Sequence, residues 1–332
     1  MIRLLAVLVL PSILGAQTPE LVSLAPDVWA VIRPGPIGYA QHANSLVIVG
    51  DRDVLVVDAQ FTRAATLETL AAIRRVTRLP VGVVVNTHWH DDHVAGTQVY
   101  QDSFPDVRVV RHRNTVRDLA RLGGPNRVAQ VRGAPPVADR FAHLADLGLG
   151  LDSTPGSALE LRAMRQAVRI IRQYVRESAG HREVDATDTV DTGVTMQVGR
   201  HRVEIRWFGC ANTEGDLAVF VPTAGILAAG DLVVHPVPFA FGAFPGGWAD
   251  ALDSLAARAP AVIVPGHGPV LRDLSYLRAM RALLAEPRNA GRWARARDNL
   301  TGGEPWWIRL FDRFFAAPVT ERAETTCTGQ GP

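Results

Sequence analysis

Lysine is absent from this 332-residue sequence, in which all 35 basic residues are arginine. The absence excludes a Schiff-base lysine, a phosphate-binding lysine of the Walker type and a Ser-x-x-Lys nucleophile. The sequence also lacks the Gly-x-Ser-x-Gly motif that presents the nucleophile in many serine hydrolases. The usual signatures of covalent catalysis by lysine or serine are therefore missing.

An excess of charge of one sign is missing as well, because 35 basic residues face 33 acidic ones and the formal net charge is +2. Nucleic-acid-binding domains usually show a strong basic excess, so we expect a small-molecule substrate and no nucleic-acid partner. Only two cysteines are present, Cys210 and Cys327. They lie far apart in sequence; export would permit a disulfide bond between them, but Cys327 belongs to a short tail rich in threonine and glycine, so we do not predict the bond.

Long hydrophobic runs are missing except near the N-terminus. The apolar run from Leu4 to Leu14 is shorter than the ~20 residues of a membrane span. Arg3 precedes it, and a small-residue cleavage pattern ending at Ala16 follows it. We predict a signal peptide at residues 1–16, export to the periplasm or the medium, and no stable membrane span in the mature chain. An uncleaved N-terminal anchor is the alternative.

The most informative stretch is residues 87–93, Thr-His-Trp-His-Asp-Asp-His, which contains the spacing His-x-His-x-Asp-His. It follows residues 81–86, a β-branched run that predicts a buried strand. His88 and His90 can face the same side, because alternate side chains of an extended chain do so. The aspartate and histidine that end the motif follow a turn and are expected to face a second point. This spacing suits two hydrolytic metal ions about 3.5–4 Å apart.

The segments around this motif indicate a layered α/β domain. The predicted strands are 27–32, 45–49, 54–57, 81–86, 194–198, 202–208, 217–221, 226–229 and 261–264, and the predicted helices are 62–75, 271–285 and 306–315. Ligand-type residues recur where the predicted strands end. This order favours an α/β fold whose site opens at the strand ends.

Residues 111–190 contain few strand-like runs and predict a helical insertion near the site. Ser157 and Glu160 delimit a capping box, after which apolar residues recur every three or four positions. Five arginines run beside this apolar face, at positions 162, 165, 169, 172 and 176. They indicate either a surface for an anionic substrate or partner, or a solvated helix face.

Three later features lie in glycine-rich loops: Asp231 in Gly-Asp, His267 in Gly-His-Gly, and the loop 209–216. Together with the His-x-His-x-Asp-His motif, their order closely resembles the metallo-β-lactamase superfamily over residues 24–275. The resemblance implies a four-layer αβ/βα sandwich with metals at one edge. The sequence pattern adds the helical insertion at 111–190 and a C-terminal helical tail at 276–332. The motif order also looks like an exported, cyclase-like branch of the superfamily, a label that carries no substrate.

The resemblance further implies two metal sites. The ligands would be His88, His90 and Asn212 for the first metal, Asp92, His93 and His267 for the second, and Asp231 as the bridge. Asn212 departs from the family, which usually has histidine there. A carboxamide oxygen is a weaker donor to zinc than imidazole, so we expect looser binding of the first metal or binding through water. We expect Asp58, Cys210 and Thr213 to support the ligands.

By this resemblance the protein is a zinc-dependent hydrolase, in which a hydroxide bridging two zinc ions attacks an ester, lactone, thioester, β-lactam or phosphoryl substrate. Asp92 and Asp231 would be the catalytic carboxylates, with Asp92 orienting the hydroxide. An aspartate bridge is typical of thioester, lactone and phosphodiester hydrolases of the superfamily. An iron-dependent redox enzyme and a secreted, non-catalytic metal-binding protein are the alternatives.

Candidate substrate-binding residues follow the bridging aspartate. His235, Phe239 and Phe241 belong to a proline-stiffened loop that could line an apolar pocket. Plain core packing is the alternative for the two phenylalanines. Tyr39 and His42 could overhang the site from the loop before a strand. The sequence leaves the substrate and the oligomeric state open.

Overall fold

The computed structural model describes residues 18–34, 42–235, 238 and 243–284. The strands are β1 (Glu20–Ala25), β2 (Val28–Ile32), β3 (Ser45–Val49), β4 (Val54–Val57), β5 (Val81–Val85), β6 (Arg108–His112), β7 (Asp188–Val190), β8 (Gly193–Val198), β9 (His201–Trp207), β10 (Leu217–Val221), β11 (Ile226–Val234) and β12 (Val262–His267). The α-helices are α1 (Arg63–Ile73), α2 (Asp91–Val94), α3 (Thr97–Ser103), α4 (Arg113–Asp118), α5 (Gly124–Asp146), α6 (Ala158–Ser178), α7 (Pro245–Ala257) and α8 (Ser275–Leu284).

Two sheets form the centre of the fold. The first contains β1 to β7 in chain order, and the second has the order β12-β11-β10-β9-β8. In the first sheet β1 to β4 are antiparallel, and β4 to β7 are parallel. In the second sheet β11 and β12 are parallel. Parallel neighbours end at the same edge, which brings the loops that follow them together.

Alternation along the strands assigns each side chain to one of two layers. In β3, Leu46 and Ile48 belong to the core shared by both sheets, whereas Val47 faces the opposite side. The second sheet contributes Val203 and Ile205 to the shared core, and all five side chains are 0% or 1% exposed. The two sheets therefore pack face to face, as the two-residue period of their side chains requires.

Helices cover both outer faces. Ile73 of α1 and Tyr100 of α3 pack on the outside of the first sheet. Trp248 and Leu252 of α7, with Met280 of α8, pack on the outside of the second sheet. The layers are helix, sheet, sheet and helix, so the predicted four-layer sandwich is confirmed.

The insertion forms a small packing unit of its own. After β6 the chain passes through α4 and a π-helical turn (Leu119–Gly123) into α5 and α6, before β7 returns it to the first sheet. Phe141 of α5 packs with Met164 of α6 in a core separate from those of the sheets. The predicted start of α6 is confirmed, because the Ser157 side chain accepts a hydrogen bond from the Glu160 backbone N–H.

Most predicted strands and helices are confirmed, with some differences. The sequence pattern did not indicate β1, β6 or β7, which are short or alternate polar and apolar residues. The helix predicted from residue 271 begins at Ser275. The predicted signal peptide and the predicted helix at 306–315 lie outside the described residues. Within the described part of the chain, no helix combines the length and apolar character of a membrane span.

The separate core of the insertion predicts a local effect of Phe141→Ala. Removing a buried phenylalanine costs about 3–5 kcal/mol, and the ring is only 4% exposed. Hydrogen exchange followed by mass spectrometry should show faster exchange in α5 and α6, while β10 to β12 stay protected. Leu159→Ala is the control, because that side chain is 40% exposed. Equal loss of protection in both regions would show that the insertion is not a separate unit.

Candidate metal centre

The ligand-type side chains meet where the two sheets adjoin. The loop after β5 carries the His-x-His-x-Asp-His motif, and its Thr87 carbonyl accepts a hydrogen bond from the Leu217 N–H of β10 at 2.8 Å. Asp231 lies within β11, which continues to Val234 beyond the predicted strand end. His267 is the last residue of β12. Each sheet thus supplies part of the site.

His88, His90 and Asp231 form the first group able to hold a metal ion. His88 Nε2 lies 2.9 Å from His90 Nδ1 and 3.6 Å from Asp231 Oδ2. His88 and Asp231 are almost fully buried, and His90 is partly exposed. These three are the residues that the sequence assigned to the first metal and the bridge.

Asp92, His93 and His267 form the second group. His267 Nε2 lies 2.9 Å from Asp92 Oδ2 and 3.4 Å from His93 Nε2. Both histidines are fully buried, whereas the Asp92 side chain is 23% exposed. The second group therefore has one face open to solvent, on the side of Asp92.

Asp231 connects the two groups. Its Oδ2 faces His88 of the first group, and its Oδ1 lies 3.2 Å from His93 Nε2. Glycine is required opposite it, because a Cβ at Gly266 would lie 2.1 Å from Asp231 Oδ1. The arrangement agrees with the bridging position that the sequence resemblance implied.

The geometry fits two zinc ions. With Zn–N distances of about 2.0–2.1 Å, two ligands of a tetrahedral zinc lie about 3.4 Å apart, and the contacts across each group are 2.9–3.6 Å. Four histidines and two aspartates also converge in a largely buried space, where uncompensated charge is costly. The donor set and its spacing would fit a pair of divalent metal ions such as zinc.

Asn212 lies in the loop between β9 and β10 and has unsatisfied hydrogen-bonding groups. Its side chain is fully buried, and neither Oδ1 nor Nδ2 has a hydrogen-bond partner. Leaving a buried polar group unsatisfied costs about 1–3 kcal/mol. The loop itself is fixed, because the Thr213 N–H donates to Asp216 Oδ2 at 2.6 Å and Asn114 Nδ2 of α4 donates to the Glu214 carbonyl. A rigid loop thus holds a carboxamide with open bonding capacity.

Asp58 orients two of the histidines, as the sequence suggested. Its carboxylate accepts hydrogen bonds from the Thr87 N–H at 2.7 Å, from the Thr87 hydroxyl at 2.8 Å and from His93 Nδ1 at 2.8 Å. Because the Thr87 hydroxyl donates to Asp58, its oxygen accepts from His88 Nδ1 at 3.0 Å. These hydrogen bonds occupy Nδ1 of both imidazoles and direct Nε2 toward the metal positions, where it would be free to bind a metal once His93 loses its extra proton.

Protonation of the histidines follows from their neighbours. Burial, reinforced by nearby histidines, holds the pKa of His88 well below its usual value. Burial also acts to lower the pKa of His93, but Asp231, Asp58 and Asp92 outweigh it and raise that pKa well above the usual value. The three carboxylates thus favour a positive charge at His93. A metal cation bound there can take the place of the extra proton on the imidazole.

Cys210 is disulfide-bonded, a bond that the sequence did not lead us to predict. Its side chain is buried, at 3% exposure, as expected. The only other cysteine of the sequence, Cys327, lies outside the described residues. Sequence separation carries no information about distance in space, which is why the sequence argument failed.

The candidate substrate-binding residues have different outcomes. Phe239, Phe241 and Tyr39 lie outside the described residues. His235 follows β11 directly; its N–H donates to the His267 carbonyl at 3.1 Å, and burial lowers its pKa to about 4. His42 is buried, its Nδ1 has no hydrogen-bond partner, and burial lowers its pKa to about 3.

Sequence reasoning missed several residues that hold the metal loop. Asn86 Nδ2 donates to the His93 carbonyl at 2.8 Å, and Arg111 Nε of β6 donates to Asn86 Oδ1 at 2.9 Å. Asp91, inside the motif, forms a bidentate ion pair with Arg127 of α5, in which the guanidinium donates to both carboxylate oxygens. The sequence does show two adjacent aspartates in the motif, which could have suggested a role for Asp91. It does not show the partner of Asp91, which lies 36 residues away in the chain.

Two packed sheets with outer helices and a paired histidine–aspartate centre define a metal-binding α/β sandwich protein. The sequence model that describes the metallo-beta-lactamase superfamily matches residues 38–267 of this chain. The chain belongs to that superfamily.

Solved structures support the fold. A metallo-beta-lactamase from Pontibacter korlensis is 20% identical with a TM-score of 0.55, and the match covers 81% of this chain and 99% of that one. DIM-1 metallo-beta-lactamase is 16% identical with a TM-score of 0.54, over 80% and 97% of the two chains. TMB-1 is 15% identical with a TM-score of 0.55, over 82% and 99%. At these identities the likeness establishes the fold alone.

Asp58→Asn should weaken metal binding about 10- to 100-fold, the usual effect of losing a residue that orients a metal ligand. The amide cannot accept all three hydrogen bonds that fix Thr87 and His93. Competition with a chromophoric chelator would measure the zinc dissociation constants. Asp102→Asn is the matched control, since Asp102 pairs with Arg63 at the surface. Equal affinities of the two variants would contradict the role of Asp58.

Alkylation should show whether Cys210 is in a disulfide bond or is a free thiol. A disulfide sulfur offers no thiolate to an alkylating reagent, so iodoacetamide should leave Cys210 unmodified in denatured, unreduced protein produced in an oxidising compartment. After reduction the same residue should be alkylated, and mass spectrometry of its peptide would show the added mass. Alkylation before reduction would contradict the observed bond.

Proposed function

We propose that this protein is a dinuclear zinc hydrolase. The observation that carries the proposal is the Asp231 carboxylate between two histidine-containing groups, with one oxygen toward each. When bound, two zinc ions at such a site lower the pKa of a shared water toward about 7 and polarise the oxygen of the attacked group. The substrate classes expected are esters, lactones, thioesters, β-lactams and phosphoryl compounds.

The six ligand-type residues have different roles in the proposed reaction. His88 and His90 would hold one metal ion, and His93 with His267 would hold the other. Asp92, with its partly exposed side chain, can accept a hydrogen bond from the attacking water and orient it toward a substrate entering from solvent. Asp231 keeps the two positions at a fixed separation. None of these roles requires a lysine or serine nucleophile.

Asn212 is proposed as the weak ligand of the first metal. It is buried with both polar atoms unpartnered, which supports a bonding role, but its donor is an amide oxygen. Zinc prefers imidazole or thiolate donors to amide oxygen. The first zinc is therefore proposed to dissociate more readily than the second.

A redox function with iron is the second candidate. Each of the two groups consists of two histidines and one carboxylate, which is the ligand set of many non-haem iron sites. Amide oxygen from Asn212 would suit that harder metal better than it suits zinc. Metal identity in the purified protein separates this candidate from the hydrolase and from a non-catalytic metal-binding protein.

We also propose that the protein is exported. The apolar N-terminal run with its cleavage pattern at Ala16 supports this, and so does the disulfide bond of Cys210, because such bonds persist in oxidising compartments. N-terminal sequencing of protein recovered from the periplasm or medium would test it. A mature chain beginning near Gln17 is the expected result.

Metal content tests the proposed function directly. Protein purified without added metal should contain close to two zinc ions per chain by elemental analysis, and His90→Ala should reduce this to about one by removing a first-site ligand. Asn212→His should tighten the weaker site about tenfold or more by supplying an imidazole donor. A substrate panel of the proposed classes should then identify hydrolysis that Asp231→Ala abolishes.

Iron as the resident metal would replace the zinc proposal with the redox one. Absence of tightly bound metal would overturn both enzymatic candidates. An Asn212→His variant with unchanged zinc affinity would show that Asn212 is not at the metal position.

A further inference from the structure

We propose that Arg127 and Tyr174 of the helical insertion are positioning residues for the metal centre, acting through Asp91. This inference rests on the proposed metal binding and assigns the insertion a part in it. Asp91 is placed between His90 of the first group and Asp92 of the second. Anything that fixes the Asp91 side chain therefore fixes the backbone from which both neighbours project.

The contacts to Asp91 are short and come from two helices. Arg127 of α5 donates from Nη2 to Asp91 Oδ1 at 2.6 Å and from Nε to Oδ2 at 3.0 Å. Tyr174 of α6 donates its hydroxyl to Asp91 Oδ2 at 2.6 Å. A bidentate guanidinium fixes both the position and the plane of a carboxylate. The aspartate thus has three donors in a defined geometry.

Burial makes this network costly to break. The Asp91 side chain is 1% exposed and that of Arg127 is 12% exposed. Removing one partner of such an ion pair leaves an uncompensated charge, whereas surface pairs contribute little. The pair is therefore able to hold the loop, unlike the exposed pair between Arg172 and Asp139 on the same two helices.

Tyr174 is itself held in place. Its ring stacks on Phe61 with centroids 4.0 Å apart and planes 4° from parallel, and its hydroxyl also lies 3.0 Å from Gln130 Oε1. Phe61 follows β4, three residues after Asp58, so the stack joins the insertion to the segment that orients His93. The insertion therefore contacts the metal loop at Asp91 and the segment after β4 at Phe61.

Asp91 is also kept from acting as a ligand. A carboxylate adjacent to His90 and Asp92 could compete for a metal ion, but its oxygens are already committed to Arg127 and Tyr174. The network therefore leaves neither oxygen of Asp91 without a donor.

The test compares zinc affinity and cobalt spectra of variants. Arg127→Met should weaken zinc binding about tenfold or more, the range for a residue that orients a ligand, and should alter the d–d absorption of Co²⁺-substituted protein. Tyr174→Phe keeps the stacked ring and should give a smaller change of the same kind. Arg172→Met is the matched control in the insertion and should change neither measurement.

A second pair of variants separates positioning from simple stability. Asp91→Asn combined with Arg127→Met removes the uncompensated buried charge, so the double variant should recover the melting temperature of the metal-free protein. Its zinc affinity should stay low, because the loop is still not oriented. Arg127→Lys should restore little affinity, since an ammonium cannot form the bidentate pair.

Two outcomes would overturn the inference. One is an unchanged zinc dissociation constant and Co²⁺ spectrum in Arg127→Met; a lowered melting temperature alone would then mean a purely structural contact. The other, readable without metal, is unchanged hydrogen exchange of residues 86–95 in metal-free Arg127→Met relative to Arg172→Met. Failure of the wild-type protein to bind zinc would instead count against the proposed function, and the exchange measurement would still decide the inference.

Discussion

The structure depends on one buried carboxylate, Asp231, held between histidines that come from different sheets. His88 and His93 follow β5 in the first sheet, whereas Asp231 and His267 belong to β11 and β12 in the second. The site therefore exists only when the two sheets are packed in register. The valine-rich core between them both stabilises the domain and determines the spacing of the metal ligands.

A local strain at the edge of this site has a structural explanation. Asp58 has a positive φ of 61°, which is uncommon for residues other than glycine, although aspartate adopts it more readily than most. Such a conformation costs of order 1–3 kcal/mol and persists only where the surroundings over-determine it. The surroundings here are the two groups of Thr87 and the imidazole of His93, all donating to the same carboxylate. The strained backbone thus aims the carboxylate at both histidine positions.

Local patterns predicted most strands and the cluster of ligand-type residues, whereas the four layers and the division of the ligands into two groups were implied by the family resemblance. The sequence did not predict contacts between distant segments, because hydrophobic period and motif spacing carry no information about them. Tyr174 donates a hydrogen bond to Asp91, which lies 83 positions away in the chain. In the sequence, nothing distinguishes Tyr174 from the other residues of its amphipathic helix. The disulfide bond of Cys210 was missed for the same reason. The short edge strands were missed because few alternating residues mark them.

The metal loop is restrained from two directions, and this limits how the insertion can vary. On the sheet side Asp58 and Asn86 bind its ends, and on the insertion side Arg127 binds its middle through Asp91. A loop restrained only by the sheet could move its central residues while both ends stayed fixed. Since His90 and Asp92 flank that middle, a change in α5 or α6 that displaces Arg127 reaches both metal positions at once.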